Sequence, residues 1–157
     1  MPNGITFVKF YVTGSGARGG GRSGNAGSTA IGYLSAAPGT IFPVSIAAVP
    51  TTAGHSSIIY EPIVDGTDAL VTAPGGLQWT DTATSPTVAT SDYLPTETIL
   101  LVGGVGNVDT NDSGEEEGNG GSSYYGNAPA WGGGQGGHSN NAIGPEPSTG
   151  IIVFEWN

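Results

Sequence analysis

The chain has 157 residues, 29 of them glycine and 11 proline, with no cysteine and a net charge of −10 from 13 acidic and three basic side chains. This length fits one domain. The missing cysteines exclude a disulfide framework and a thiolate metal site. With only Lys9, Arg18 and Arg22 positive, binding to nucleic acid or to an anionic membrane, which needs clustered basic residues, is not expected. Charged residues make up 10%, whereas disordered chains of low hydrophobicity usually carry many charges. The glycines are also bunched, so a folded frame carrying glycine-rich loops is expected. No apolar run approaches the ~20 residues of a membrane span. The start, Met1-Pro2-Asn3-Gly4, has no basic region followed by an apolar core, so a secretory leader is not expected.

Residues 5–13 are β-branched and aromatic, with Ile5, Phe7, Lys9, Tyr11 and Thr13 on one face and Thr6, Val8, Phe10 and Val12 on the other. This is the pattern of a strand. Gly14 to Gly27 follows, with seven glycines in fourteen positions, and is neither helix nor ordinary strand. Strands are expected over Thr29–Ala36 and Thr40–Val49, separated by a Pro38-Gly39 turn. A hairpin is expected from Ser56–Val64 and Ala69–Ala73 about Asp65-Gly66. Residues 74–97, with Trp79 and Tyr93, read as loop with one short strand. Thr98–Val102 is apolar enough for a buried strand. A second glycine-rich tract runs from Gly103 to about Gly144, and Gly150–Asn157 closes the chain as a strand. No stretch has helical periodicity, so the fold class is all-β: a single β-sandwich-like domain, its first and last strands paired antiparallel and its termini at one end.

Within the tracts glycine recurs every third residue, at Gly21, Gly24 and Gly27, at Gly103 and Gly106, at Gly118 and Gly121, and at Gly133 and Gly136. Three residues per turn is the period of polyproline II. Glycine at each third place leaves one edge bare, so extended segments can approach backbone to backbone. Collagen's unbroken repeat is absent. Flexible linkers are the alternative, but long structureless loops inside one small domain are uncommon. Tyr124, Tyr125, Asn127, Trp131, Gln135, His138, Asn140 and Asn141 are also poor linker residues.

The order of these elements, with Gly118-Asn-Gly-Gly-Ser-Ser-Tyr-Tyr-Gly126, Trp131-Gly-Gly-Gly-Gln-Gly-Gly137 and the ending Gly150-Ile-Ile-Val-Phe-Glu-Trp156, resembles the glycine-rich domains of bacteriophage tail-fibre and tail-tip proteins. The resemblance covers nearly the whole chain, through motifs that are compositional. It implies polyglycine II segments and receptor contact through loops at the virion surface. The chain departs from the pattern at residues 74–100, which lack a glycine tract and carry Pro86 and Pro95. A β-sandwich with polyglycine-containing loops is therefore expected.

Exposed Tyr124, Tyr125 and Trp131 suit stacking on sugar faces, since they offer large contact area with few rotors to freeze. The alternative is that they fold inward and anchor the glycine layer. Asn127, Gln135, His138, Asn140 and Asn141 could add hydrogen bonds to hydroxyls, or serve as turn formers. Asp109, Asn111, Asp112 and Ser113 match the first half of a calcium loop, with Gly114 sixth. The twelfth place is Gly120 instead of glutamate, flanking helices are absent, and a solvated acidic loop with Glu115–Glu117 is the alternative. His55 and His138 are too few for zinc. No nucleophile elbow or phosphate loop is present, and the spacing of Asp65, Asp68, Asp81 and Asp92 does not support glycoside cleavage.

The expected function is recognition of a host surface glycan or outer-membrane protein by a non-enzymatic virion module, with Ca2+ as a conceivable ligand. A structural role in the capsid or fibre, in contact with other virion proteins or as a homo-trimer, is the alternative, and a polysaccharide depolymerase is a third. The first tract reads as structural packing and the second as the recognition element.

Overall fold

The run Phe-Val-Lys-Phe-Tyr-Val-Thr folds as the first strand, and its alternation sorts inside from outside. Val8, Phe10 and Val12 are buried, while Phe7, Lys9 and Tyr11 stay accessible on the other face. The computed structural model describes residues 1–19, 23–62, 67–78, 80–94, 96–106, 109–110, 116–118, 120–126, 130–134, 137–138 and 146–156. Among them the strands are β1 (Phe7–Thr13), β2 (Thr29–Ser35), β3 (Val44–Ser45), β4 (Ser57–Tyr60), β5 (Ala69–Ala73), β6 (Thr87–Val88), β7 (Ile99–Leu101), β8 (Asp109–Thr110), β9 (Glu116–Gly118), β10 (Gly137–His138) and β11 (Ile151–Glu155). There is no helix among the described residues.

The chain is an all-β, sandwich-like domain of two four-stranded antiparallel sheets, ordered β11-β1-β2-β7 and β3-β4-β5-β6. The first and last strands pair antiparallel as expected, Tyr11 facing Val153. Met1 and Trp156 line one cavity, so the described ends of the chain lie together. Phe10, Val12, Ala30 and Leu34 from one sheet and Ile59, Leu70, Val71 and Ala73 from the other form the core. Gly32 lies opposite Phe10 in register. A Cβ there would come 2.8 Å from the Phe10 ring, so the glycine within this strand makes room for the largest core side chain. Ser57 joins the sheets: its hydroxyl donates to the Thr13 carbonyl (2.7 Å) and accepts from the Ala47 N–H (3.1 Å).

The Pro38-Gly39 turn, with Gly39 at φ 86°, carries the chain from one sheet to the other. Two expected strands are corrected. That over Thr40–Val49 shrinks to β3, which pairs only with β4 over two residues and leaves Ile41 79% exposed. The run Thr98–Val102 forms β7 at a sheet edge, with Ile99 and Leu100 exposed and not buried. Apolar character does not distinguish a central strand from an edge strand with one neighbour.

Beyond the sandwich, strands continue directly into glycine segments: β1 into 14–18, β5 into 74–77 and β7 into 103–106, while 23–28 leads into β2 and 146–150 into β11. Donors three residues apart address the same neighbour. The N–H groups of Gly14 and Ala17 reach the carbonyls of Ser28 and Asn25 (3.1 and 2.9 Å), those of Ser15 and Arg18 reach His55 and Thr52 (3.0 and 2.8 Å), and that of Gly16 reaches Ser148 (3.1 Å). In segment 23–28, Asn25 and Ser28 donate to Leu77 and Pro74 (3.1 and 3.0 Å), Ala26 to Gly104 (2.9 Å) and Gly27 to Gly132 (2.8 Å). This is the three-residue period of polyproline II, with 14–18 and 23–28 each donating outward to three neighbours. The falling partner numbers show that 14–18 runs antiparallel to both 23–28 and 52–55.

Glycine is needed here for space. A Cβ on Gly16 would stand 1.9 Å from the Gly133 carbonyl oxygen, and one on Gly121 the same distance from that of Gly104. Neither glycine has a left-handed φ. Described segments of the second tract join this lattice too, through Gly121 donating to Gly24 (3.0 Å) and Gly134 to Gly121 (2.9 Å). Described segments of both tracts therefore pack structurally, and Pro74-Gly75-Gly76-Leu77 supplies a lattice segment in a stretch that looked devoid of one. Each backbone bond contributes a net ~0.5–1.5 kcal/mol, and here such bonds do the work of a larger apolar core.

Candidate functional site

Gly121 and Gly132 enter the lattice on either side of an excursion, and its described ends carry Tyr124, Tyr125 and Trp131. Ser123 and Gly126 close a turn by bridging each other, Ser123 N–H to Gly126 O at 2.8 Å and Gly126 N–H to Ser123 O at 3.1 Å. Gly126 takes φ 117°, a conformation side chains rarely adopt. The Ser123 hydroxyl accepts from the Tyr125 N–H (3.1 Å) and donates to the Trp131 carbonyl, tying the two halves of the excursion.

This anchoring lines up aromatic rings. Trp131 meets Tyr125 edge-to-face at 5.6 Å, Tyr125 meets Tyr124 at 5.1 Å, and Tyr124 lies 6.0 Å from Tyr11. Such spacings are those of favourable aromatic pairs. Tyr124 is 52% and Trp131 50% exposed, while Tyr125 is half-buried between them. Burial, and then the neighbouring Tyr124, pushes the Tyr125 phenol above the usual tyrosine range.

The row continues onto the outer face of the first sheet. Lys9 Nζ sits 4.7 Å from the Tyr11 ring centroid, within cation–π range. The Tyr11 hydroxyl donates to Glu155 Oε2 at 3.0 Å. Hydrogen bonding to Tyr11 is the main cause holding the exposed Lys9 ammonium above its usual range. In register Lys9 faces Tyr33 on one side and Glu155 on the other, with Phe7 and Tyr33 both exposed. Lys9, Tyr11, Tyr33 and Glu155 were not singled out as site residues from the sequence. The signal was present in the face of β1 that carries Phe7, Lys9 and Tyr11.

Of the residues expected to read a receptor, Tyr124, Tyr125 and Trp131 are brought together. His138 lies in β10 opposite Glu117, and Asp109 in β8 opposite the same glutamate, within a small sheet ordered β10-β9-β8. Asn127, Gln135, Asn140 and Asn141, and the candidate calcium ligands Asn111, Asp112 and Ser113, lie outside the described residues, as do Trp79 and Asp65. Among the described residues no three acidic, histidine or cysteine side chains gather as a metal site. Asp68, Asp81 and Asp92 are each exposed.

Comparisons with protein-family models, curated proteins and solved structures find no match for this chain.

Proposed function

We propose that this chain is a recognition module of a bacteriophage tail fibre or other virion surface, which holds a host-surface glycan against its exposed aromatic row. The observation that carries this reading is the contact series Trp131–Tyr125–Tyr124–Tyr11, half-exposed at both Tyr124 and Trp131. Rings kept in water cost apolar burial that folding would otherwise gain, and a contiguous exposed apolar patch marks an interaction site. Sugars present apolar C–H faces that such rings cover, and hydroxyls that the tyrosine hydroxyls of the row bond. The row is flanked by lattice segments at Gly121 and Gly132, which limits the backbone ordering left to be lost on binding there. No chemical step belongs to this reading.

The test is binding of labelled protein to a panel of bacterial cells. Tyr124→Ala and Trp131→Ala are expected to reduce cell binding while leaving the unfolding midpoint nearly unchanged. Wild-type binding by both variants would sink the reading. Point substitution is required because removing Gly103–Gly144 takes lattice segments with it.

One observation favours the structural alternative, assembly with other virion proteins or with copies of the chain. Ile41, Val44, Ile46 and Val49 are all exposed around the edge strand β3. Sedimentation of the pure chain checks it: a stable trimer dispersed by Ile41→Lys would support assembly through that edge.

A further inference from the structure

The outer face of the first sheet bears two adjoining grooves. One, of about 320 Å3, is lined by Phe7, Lys9, Tyr33, Glu155 and Trp156. The other, of about 420 Å3, shares Lys9 and Tyr33 and runs past Tyr11, Glu97 and Ile99 to Tyr124. Each has the volume of a small-ligand site, and together they continue the ring row along β1. Phe7 to Tyr11 alone spans about 13 Å at the rise of a strand. A ligand that fills both grooves is therefore extended and longer than one sugar ring.

Charge selects among extended ligands. The three ionisable side chains lining the grooves besides the tyrosines are Lys9, Glu97 and Glu155, one positive against two negative, on a chain of net charge −10. A polyanion is repelled by that balance. A polycation is drawn by that overall balance but meets the Lys9 ammonium at the point the two grooves share. An uncharged polyol meets neither penalty and finds complementary partners. The ammonium offers three donors, the carboxylates accept, and the tyrosine hydroxyls do both. Phe7, Tyr33 and Trp156, each 42% exposed or more, provide the apolar surfaces for ring faces.

We propose that this sheet face is a second stretch of the same saccharide site, taking an uncharged, extended hexopyranose chain laid along β1 from Tyr124 to Trp156, with Lys9 and Glu155 reading its hydroxyls. The proposal rests on the reading of the aromatic row as a glycan contact and adds the class of glycan and the path of its chain.

The full chain is titrated calorimetrically with neutral hexasaccharides of different linkage (maltohexaose, cellohexaose and mannohexaose), with their disaccharides, and with hexagalacturonate. At least one neutral hexamer should bind about tenfold or more tightly than its disaccharide and than hexagalacturonate. Tyr33→Ala and Lys9→Met, both at accessible positions, should each weaken that binding by about tenfold while the unfolding midpoint stays put. Preference for hexagalacturonate, equal affinity for dimer and hexamer, no binding to any neutral hexamer, or indifference to both substitutions overturns the proposal. The two readings separate in the cell assay. If Tyr124→Ala loses cells while Lys9→Met and Tyr33→Ala hold them as wild type does, recognition stands and this extension falls.

Discussion

The ring of Tyr124, from the second glycine tract, lies 6.0 Å from that of Tyr11 on the first strand, the two planes tilted by 33°. This contact joins the excursion that carries Tyr125 and Trp131 to the sheet face that carries Lys9 and Tyr33. Removing the Tyr124 ring splits one surface into two. Tyr124→Ala is expected to weaken cell binding by roughly five- to tenfold, the equivalent of the ~1 kcal/mol a ring contact contributes. Tyr124→Phe, which keeps the ring and drops the hydroxyl, should retain most of it. Equal loss in both variants would place the effect in the hydroxyl and not in stacking.

Glycine does two different jobs in this fold, and substitution separates them. At Gly4 the backbone has φ 79° and no atom lies within 4 Å of an added Cβ. Gly4→Ala should therefore cost only the left-handed strain, about 1–2 kcal/mol. At Gly16 the backbone is ordinary, but the Cβ falls 1.9 Å from the Gly133 carbonyl oxygen, with the Gly134 nitrogen at 2.8 Å. No flexible side chain is there to yield, so two lattice segments must separate. Gly16→Ala is expected to cost more than the ~1–3 kcal/mol of ordinary overpacking, or to prevent folding. Urea unfolding of the two variants beside wild type checks the ranking.

Much of this architecture was legible because its signals are local. Alternation of β-branched and aromatic residues marked β1, apolar runs marked β5 and β11, and glycine at every third place marked segments that pack bare edge to bare edge. The lattice members without that spacing were not legible. Thr52 and His55 are exposed at its border, where a side chain has room, so 52–55 needs glycine only at Gly54, against Ser15 and Gly76. The wider site was hidden for a related reason. Phe7 and Tyr11 on one face of β1 look as suited to burial as Val8, Phe10 and Val12 on the other. Only the second sheet, packing on the latter, decides which face stays in water. Tyr124, Tyr125 and Trp131 stood out because little apolar sequence lies near them in the chain.

Asn25 is fully buried and pins two distant stretches. Its amide nitrogen donates to the carbonyls of Thr80 (3.0 Å) and Thr82 (2.7 Å), and its oxygen accepts from the Gly106 N–H (3.1 Å). Asn25→Ala leaves those groups without their partner and should cost about 1–3 kcal/mol. Asn25→Asp keeps the shape but turns a carboxylate toward two carbonyl oxygens in a buried site, which raises its folded-state pKa. A carboxyl whose folded pKa is raised is stabilised relative to the unfolded chain only while protonated. The aspartate variant should therefore be the less stable of the two at pH 7 and recover as the pH falls toward 4. Thermal unfolding of both variants across that range measures it.

Tyr125 should add to the loss of stability at alkaline pH. Burial first, and the adjacent Tyr124 second, raise its phenol above the ordinary range. An acid whose pKa is higher in the folded state loses its proton first in the unfolded chain. Above roughly pH 10, the ordinary tyrosine value, the unfolded state binds fewer protons than the native one, and stability falls as pH rises. The urea midpoint should therefore drop between about pH 9 and 11, with a smaller drop in Tyr125→Phe, which has no phenol to ionise. In a phenolate absorbance titration the same variant should lose part of the change at the most alkaline end. An identical pH dependence in wild type and Tyr125→Phe would mean that Tyr125 ionises as freely in the folded protein as in the unfolded chain.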